Sequence, residues 1–433
     1  MRIPNFKSGP CSKLFLLSLS ILLANSCAAP QKQLEKAPDE PAYYCNEFLP
    51  ERIILNLTEK PLKSQAVTWR TFTKVKDPKA QIVPVTDKFS LEENVTVIHA
   101  ATETVGKGKD KTVCYYSAVF KNLKPNTMYA YRVGTDGYWS EWNQFKTASK
   151  SHDPFKFAYL GDPQNDIKSM CSRIFRAAYK KAPDARFWLF VGDLVNNGDN
   201  DEQWAELFYA LGWIPRTTSM MLLPGNHGYT DKRYVRAEDF KLHHLWRPHF
   251  TLPENGPHGL EETAYFFDYQ GVRFVMLNGN EKIEEQAQWL DRILSENPQP
   301  WTIAGIHQSV YSTAKYRNDS KLQSLLLPIF DKHSVDLVLQ GHDHTYCRTH
   351  KIKNGVRVKD NEKGTVYVVS VSGPKYYEVN TPHQELMAKM ETDRQLFQVI
   401  HIDHDRLHYE AFDVKGDVFD SFVLEKTKDG NGE

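Results

Sequence analysis

The chain has 433 residues, 41% hydrophobic and 25% charged, which excludes a disordered polymer and exceeds what one ordinary core holds. Lys plus Arg and Asp plus Glu each number 54, so no global charge points to nucleic acid or to an acidic surface. Any partner has to be argued from a site.

Residues 1–27 read as a secretory signal. Arg2, Lys7 and Lys13 form a basic start, Leu14 to Ala24 is an apolar run, and small residues close it. The run is shorter than the ~20 residues that a spanning helix needs. Its ending, Leu23-Ala24-Asn25-Ser26-Cys27, resembles a bacterial lipobox, which implies acylation of Cys27 and a lipid anchor. Ala28, in place of the Asp that resembles an inner-membrane retention signal, favours the outer membrane, on its periplasmic or surface face. Residues 28–45, rich in Pro, Lys, Glu and Gln, read as a tether. Beyond the signal, Cys45, Cys114, Cys171 and Cys347 remain, and a Cys45–Cys114 bridge and free buried thiols are both open.

Residues 46–148 alternate as short strands, clearest at 66–70 and 115–120. Leu123-Lys124-Pro125-Asn126-Thr127-Met128-Tyr129 resembles the tyrosine corner of fibronectin type III sandwiches. An all-β sandwich is therefore expected, with Trp139 and Trp142 as packing residues. From 155 to 433 buried strands alternate with amphipathic helices. Strands are expected at 155–160, 185–191, 220–223, 301–306 and 335–340. Ile167, Met170, Cys171, Ile174, Phe175 and Ala178 share one helical face, and further helices are expected at 199–211, 284–294 and 320–330. Antiparallel hairpins at 264–277 and 398–412 make this an α/β domain with mixed sheets.

Each buried strand runs into residues that bind metals: Gly161-Asp162-Pro163-Gln164, Gly192-Asp193-Leu194-Val195-Asn196, Gly225-Asn226-His227-Gly228, His307-Gln308 and Gly341-His342-Asp343-His344. Ligands in α/β sheets gather outside the carboxyl ends of strands, so five such clusters in one chain are expected to meet. A Gly-Asp alone is as often a plain turn; the set of five is not.

In order and spacing these clusters resemble the calcineurin-like metallophosphoesterases, and the sandwich in front resembles the purple acid phosphatase branch of that superfamily. The resemblance implies an αββα two-sheet domain and an acid phosphatase-like hydrolase with a binuclear centre. Asp193 would bridge the ions, Asp162 and His344 would complete the first site, and Asn226, His307 and His342 the second. Such mixed oxygen and nitrogen donors suit Fe, Mn or Zn. A hydroxide generated at the ions would attack phosphorus, with His227 the catalytic residue that donates to the leaving oxygen or a phosphoryl oxygen.

Three positions depart from the family pattern. Gln164 replaces a ligand His and either binds the first ion or orients a water. Asn196 replaces a Tyr, so no phenolate chromophore is implied, and Gly228 replaces an acidic residue that would partner His227. The substrate is expected to be a phosphate ester, most simply a monoester met outside the cytoplasm. A phosphodiesterase on nucleotides or lipid head groups and a catalytically weak surface-binding lipoprotein are the rivals. No nucleic-acid surface is evident, and oligomeric state has no signature. Arg233, Arg236, Arg247, His243, His244, His249 and His258 fall in an insertion that either roofs the site or merely packs, the second being favoured; His401, His404 and His408 look incidental.

Overall fold

Two packed β-sheets carry the second domain, and a separate β-sandwich leans on the edge of one of them. The structure, a computed structural model, describes residues 46–426 apart from 88–90, 92, 93, 107–112, 316 and 318. The signal, the tether, Cys27 and Cys45 lie outside the described residues. Cys114, Cys171 and Cys347 are buried free thiols. Among the described residues no helix is long and apolar enough to cross a membrane.

The sandwich pairs Glu51–Leu57, Gln65–Thr71, Val113–Phe120 and Ala101–Val105 in one antiparallel sheet. The other sheet is built on Lys79–Pro84 and Met128–Thr135. Alternation puts Ile53, Leu55, Val67, Trp69, Tyr116 and Tyr131 into the space between them. The Lys124 amide donates to the Tyr129 hydroxyl at 2.9 Å, so the corner tyrosine does tie the chain back on itself. Arg132 lies between Trp139 and Trp142, 4.8 and 4.6 Å from their ring centres, which gives both indoles a packing role.

In the second domain Phe155–Leu160, Phe187–Phe190 and Ser219–Leu222 run parallel in a six-stranded sheet. The C-terminal strands Leu396–Asp403, Arg406–Asp413 and Val418–Glu425 extend it antiparallel. The seven-stranded partner sheet holds Val272–Leu277, Trp301–Ile306, Leu337–Gln340 and Val366–Val369 in parallel, with Tyr265–Tyr269 antiparallel at one edge. Near the strand starts the sheets meet through aromatics. Phe157 stacks on Phe187 at 5.1 Å, and both meet the edge of Phe274 at 5.2 Å. Near the strand ends tyrosine hydroxyls cross between sheets. Tyr159 donates to the Gln340 carbonyl, and Tyr265 donates to that of Leu222 at 2.7 Å. The ligand-bearing ends of both sheets are thereby fixed to one another.

Two helices flank the first sheet's loops, α1 (Ser172–Lys181) and α2 (Asp201–Leu211). The helical face expected from Ile167 begins differently: Ile167–Cys171 forms a wider π-type turn before α1. The Cys171 thiol donates to the Pro163 carbonyl at 2.9 Å, which pulls this turn against the first ligand loop. Asn200 caps α2, its side chain accepting from the amides of Glu202 and Gln203 at 2.9 and 3.3 Å.

The sandwich docks beside this helix. Arg52 and Arg70, both buried, reach Asp201 in the first turn of α2 at 2.6 and 2.8 Å. Asn56 donates to the Met220 carbonyl at 2.6 Å, and Gln65 to the Ser219 hydroxyl at 3.1 Å. His249 of the insertion is sealed into the same joint, 2.9 Å from Arg52 Nη1, and burial keeps its imidazole neutral.

Candidate metal centre

The five strand-end clusters meet. Asp162 and Gln164 leave strand Phe155–Leu160, Asp193 leaves Phe187–Phe190, and Asn226 and His227 leave Ser219–Leu222. His307 follows Trp301–Ile306, and His342 and His344 follow Leu337–Gln340. Asp162, Asp193, His342 and His344 all have positive φ, between 46° and 70°. Such conformations are uncommon outside glycine and tend to mark functional turns. Four of them meet in this one constellation.

The glycines before these residues make room. A Cβ on Gly225 would lie 2.1 Å from Asp193 Oδ1, and one on Gly341 would lie 2.3 Å from Asp162 Oδ2. Backbone amides then hold the carboxylates. The His342 amide donates to Asp162 Oδ2 at 2.8 Å, and the His227 amide to Asp193 Oδ1 at 2.9 Å.

Two groups of potential ligands result, Asp162, Asp193 and His344 in one and Asp193, His307 and His342 in the other. Their shared member is Asp193. Asp193 Oδ2 lies 3.1 Å from His307 Nε2, which is 3.2 Å from both His342 Nδ1 and Asn226 Oδ1. His307 Nδ1 faces the Val191 carbonyl at 2.8 Å and His344 Nδ1 faces that of Lys375 at 3.2 Å. Each of these two imidazoles thus rests Nδ1 on a carbonyl and aims Nε2 inward, the orientation that a metal ligand requires.

Gln164 is fully buried beside the first group. Its Nε2 lies 2.8 Å from His344 Nε2 and 3.4 Å from Asp193 Oδ2, while its Oε1 has no partner among the described residues. Rotating the amide by half a turn points that oxygen at the ligand cluster instead. An orphaned buried oxygen beside two carboxylates fits a cation better than any hydrogen-bonding role.

The charges tell the same story. Burial pushes the Asp162 carboxyl up, and the neighbouring Asp193 adds to the shift. Burial also works against Asp193, but the facing His307 holds it well below the usual range. His307 is buried too, yet Asp193 and Asp162 raise it. Burial, then the Lys375 ammonium, lowers His344 to about 3. Two buried carboxyl groups facing His307, with burial holding His342 and His344 neutral, gather donors at one point that suits cations. The donor set of carboxylates, amides and imidazoles fits Fe, Mn or Zn.

His227 sits at the edge of this cluster with its side chain partly exposed, Nε2 4.0 Å from Asp193 Oδ2. It lacks the acidic neighbour that Gly228 removes, but it is not unpartnered. Its Nδ1 lies 2.7 Å from the Asn196 carbonyl, and the Gly198 amide donates back to the His227 carbonyl at 3.1 Å. Backbone takes the place of the missing carboxylate.

Several residues near the site carry no sequence signal. Asn280 donates to the Pro224 and Gly225 carbonyls at 3.3 and 3.4 Å, and Gln308 braces Asn280 at 3.0 Å. Asp343 accepts from the Thr313 amide at 2.9 Å. On the rim, Arg317 donates to the His342 carbonyl at 2.5 Å and lies 4.9 Å from the Tyr377 ring, which meets His344 edge-on at 5.2 Å. A cluster of Arg, Lys and Tyr read along the chain looks like ordinary surface; only the approach of distant loops gives it meaning.

In the insertion, His243 and His244 both pair with Asp199, at 3.0 and 2.6 Å. Arg233 and Arg236 are exposed and pair locally with Asp231 and Asp239. Arg247 lies 3.7 Å from Glu262, and His258 is fully exposed. His404 pairs with Asp403 at the surface, while His401 and His408 face each other across the C-terminal hairpin.

Comparison with known proteins agrees with this geometry. Residues 50–147 match the purple acid phosphatase N-terminal domain, and residues 155–346 match the calcineurin-like phosphoesterase domain. An uncharacterised protein of Mycobacterium tuberculosis is 26% identical over 361 residues, 71% of this chain and 66% of that one. Purple acid phosphatase 21 of Arabidopsis thaliana is 28% identical over 286 residues, 63% of this chain and 62% of that one. The chain thus spans just under two thirds of the length of these relatives. A purple acid phosphatase from yellow lupin seeds superposes with a TM-score of 0.73 at 20% identity, covering 88% of this chain and 75% of that one, and so shares the fold. Residues 50–147 and 155–346, with two ligand clusters joined at Asp193, thus make this chain similar across both domains to the purple acid phosphatase branch of the calcineurin-like phosphoesterases.

Proposed function

We propose that the protein hydrolyses phosphate monoesters outside the cytoplasm, anchored by lipid on Cys27 to the outer membrane. The observation that carries the catalytic reading is Asp193, common to both ligand groups and 4.0 Å from the inward nitrogen of His227. Asp162, His344 and Gln164 would hold one ion with Asp193, and Asn226, His307 and His342 the other. Bound there, the pair supplies Lewis acidity and an activated water.

The chain's own groups do the rest. Amides of His342 and His227 keep both carboxylates aimed. His227, its Nδ1 facing the Asn196 carbonyl, keeps Nε2 toward the reacting ester and can deliver a proton to the leaving oxygen. Partial exposure lets it recover that proton from solvent. Arg317 and Lys375 stand on the far rim, close enough to depress the His344 imidazole, and neither is ion-paired among the described residues. A positive rim favours the dianion of a monoester over the single charge of a diester.

The test is a substrate panel on metal-loaded protein. Ethyl phosphate and p-nitrophenyl phosphate should both turn over, with kcat/KM on the aryl monoester at least ~100-fold above that on bis-p-nitrophenyl phosphate. His227→Ala should cost ethyl phosphate about 10²–10⁴-fold and the aryl ester much less, because nitrophenolate leaves unaided. A preference for the diester, or equal losses on both monoesters, would refute the monoesterase reading or the proton-donor role respectively. For the anchor, Cys27→Ser should release active protein from membranes, and unchanged membrane fractionation would refute it.

A further inference from the structure

Next to the metal centre lies a cavity of about 660 Å³ that the two carboxylate loops help to line. Asn165 follows Gln164 directly, and Asn196 comes three residues after Asp193. The Asn196 carbonyl also faces His227 Nδ1, so the cavity and the proton donor share a wall. Opposite stand two helix faces. Arg173 and Arg176 project from α1, and Gln203, Glu206 and Tyr209 from α2, each set at the three-residue spacing that places side chains on one face.

The cavity is rich in unneutralised cations. Arg173 donates through Nε and Nη2 to the amide oxygen of Gln395 at 3.1 and 2.7 Å, a partner without charge. Lys168 Nζ lies 5.0 Å from the ring centre of Tyr209, which is 64% exposed. Arg176 is exposed, and none of these three is ion-paired with a carboxylate among the described residues. Asp166 and Glu206 are the acidic groups on the lining, so cations outnumber them three to two.

We propose that this cavity is a second anion subsite, which binds a phosphoryl group carried on the alcohol part of the substrate. The preferred substrates are then small organic esters bearing two phosphates. This rests on the phosphatase reading, in which His227 protonates the departing oxygen and the alcohol therefore leaves on the side of His227 and Asn196. The volume lies within the ~300–1,000 Å³ of small-molecule sites. Guanidinium groups meet phosphate oxygens through paired N–H donors, and Tyr209 offers an apolar face to the carbon skeleton.

The experiment is a calorimetric titration of the metal-loaded protein with two ligands it cannot hydrolyse, butylphosphonate and 1,4-butanediphosphonate. The diphosphonate should bind about tenfold more tightly, the worth of one charge-assisted contact. Arg176→Ala and Lys168→Ala should shrink that ratio to about threefold or less, while Arg176→Lys keeps most of it. Both side chains are exposed, so the fold should tolerate their loss, and a general loss of structure would weaken both ligands alike. Turnover of fructose 1,6-bisphosphate over fructose 6-phosphate should follow the same ratio. Equal binding of the two phosphonates by the wild type, or an undiminished ratio in both alanine variants, overturns the subsite. A tenfold binding ratio in a protein that turns over no phosphate ester overturns the phosphatase reading instead and leaves the subsite standing.

Discussion

The two halves of the metal centre share Asp193 and differ in almost everything else. The half around Asp162, Gln164 and His344 is sealed, with every one of those side chains buried. The half around His307, Asn226 and His342 is sealed on one side only. His307 is buried, Asn226 is exposed and His342 is half-buried. The sealed half brings two carboxylates, one imidazole and one amide; the open half brings one carboxylate, two imidazoles and one amide. In the proposed function the harder donors of the sealed half would hold the more highly charged ion, and substrate would approach over the open half. The unusual residue, Gln164, sits in the sealed half.

Breaking what the halves share should have the largest effect. Asp193→Asn should lose most of both ions and at least ~100-fold in activity, since even outer-shell changes cost 10–100-fold. Elemental analysis of the dialysed protein together with p-nitrophenyl phosphate turnover measures both; two retained ions would show that Asp193 does not bridge. Breaking one half at a time should separate them. His344→Ala should lose the ion of the sealed half and His342→Ala that of the open half, each leaving about one ion per chain and lowering activity by roughly 10–100-fold. Loss of both ions from either variant would mean the halves bind as one unit.

Strengthening the sealed half should be a smaller effect. Gln164→His replaces a neutral amide with imidazole, and retention of the first ion against a chelator should rise by about tenfold. Unchanged retention would place Gln164 outside the coordination sphere, as an orienter of His344.

A change remote from both halves supplies the control. Glu262 is buried, and burial raises its carboxyl to about 8 against the attraction of Arg247. A carboxyl whose folded pKa lies above its unfolded value binds its proton more tightly when folded. Stability therefore falls as pH rises from about 4.5 to 8. Glu262→Gln should remove this penalty, giving a gain on the order of 1–3 kcal/mol above pH 8 that vanishes below about pH 4.5. Thermal melts across that range measure it, and metal content should not move.

The sealed half is largely legible in the amino-acid sequence, and the open half's surroundings are not. A short apolar strand followed by Gly-Asp or Gly-His is a local pattern, and strands Phe155–Leu160 and Trp301–Ile306 begin and end where the apolar runs do. The wider π-type turn at Ile167–Cys171 is hidden, because the same apolar face serves an α-helix and the turn depends on Cys171 meeting Pro163. The third C-terminal strand, Val418–Glu425, is largely exposed, so it lacks the alternation that marks a buried strand. Along the chain His227 shows no partner because carbonyls have no signature in sequence, and the Asn196 carbonyl fills that role. Arg317, Lys375 and Tyr377 reach the rim from loops far apart along the chain, which no spacing rule detects.

The central claim is that catalysis needs both halves filled at once. Turnover of p-nitrophenyl phosphate, followed while stripped wild-type protein is titrated with Mn or Zn, tests it most directly. Little activity is expected through the first equivalent bound, followed by a rise that saturates at two ions per chain. Full activity at one ion per chain would contradict it.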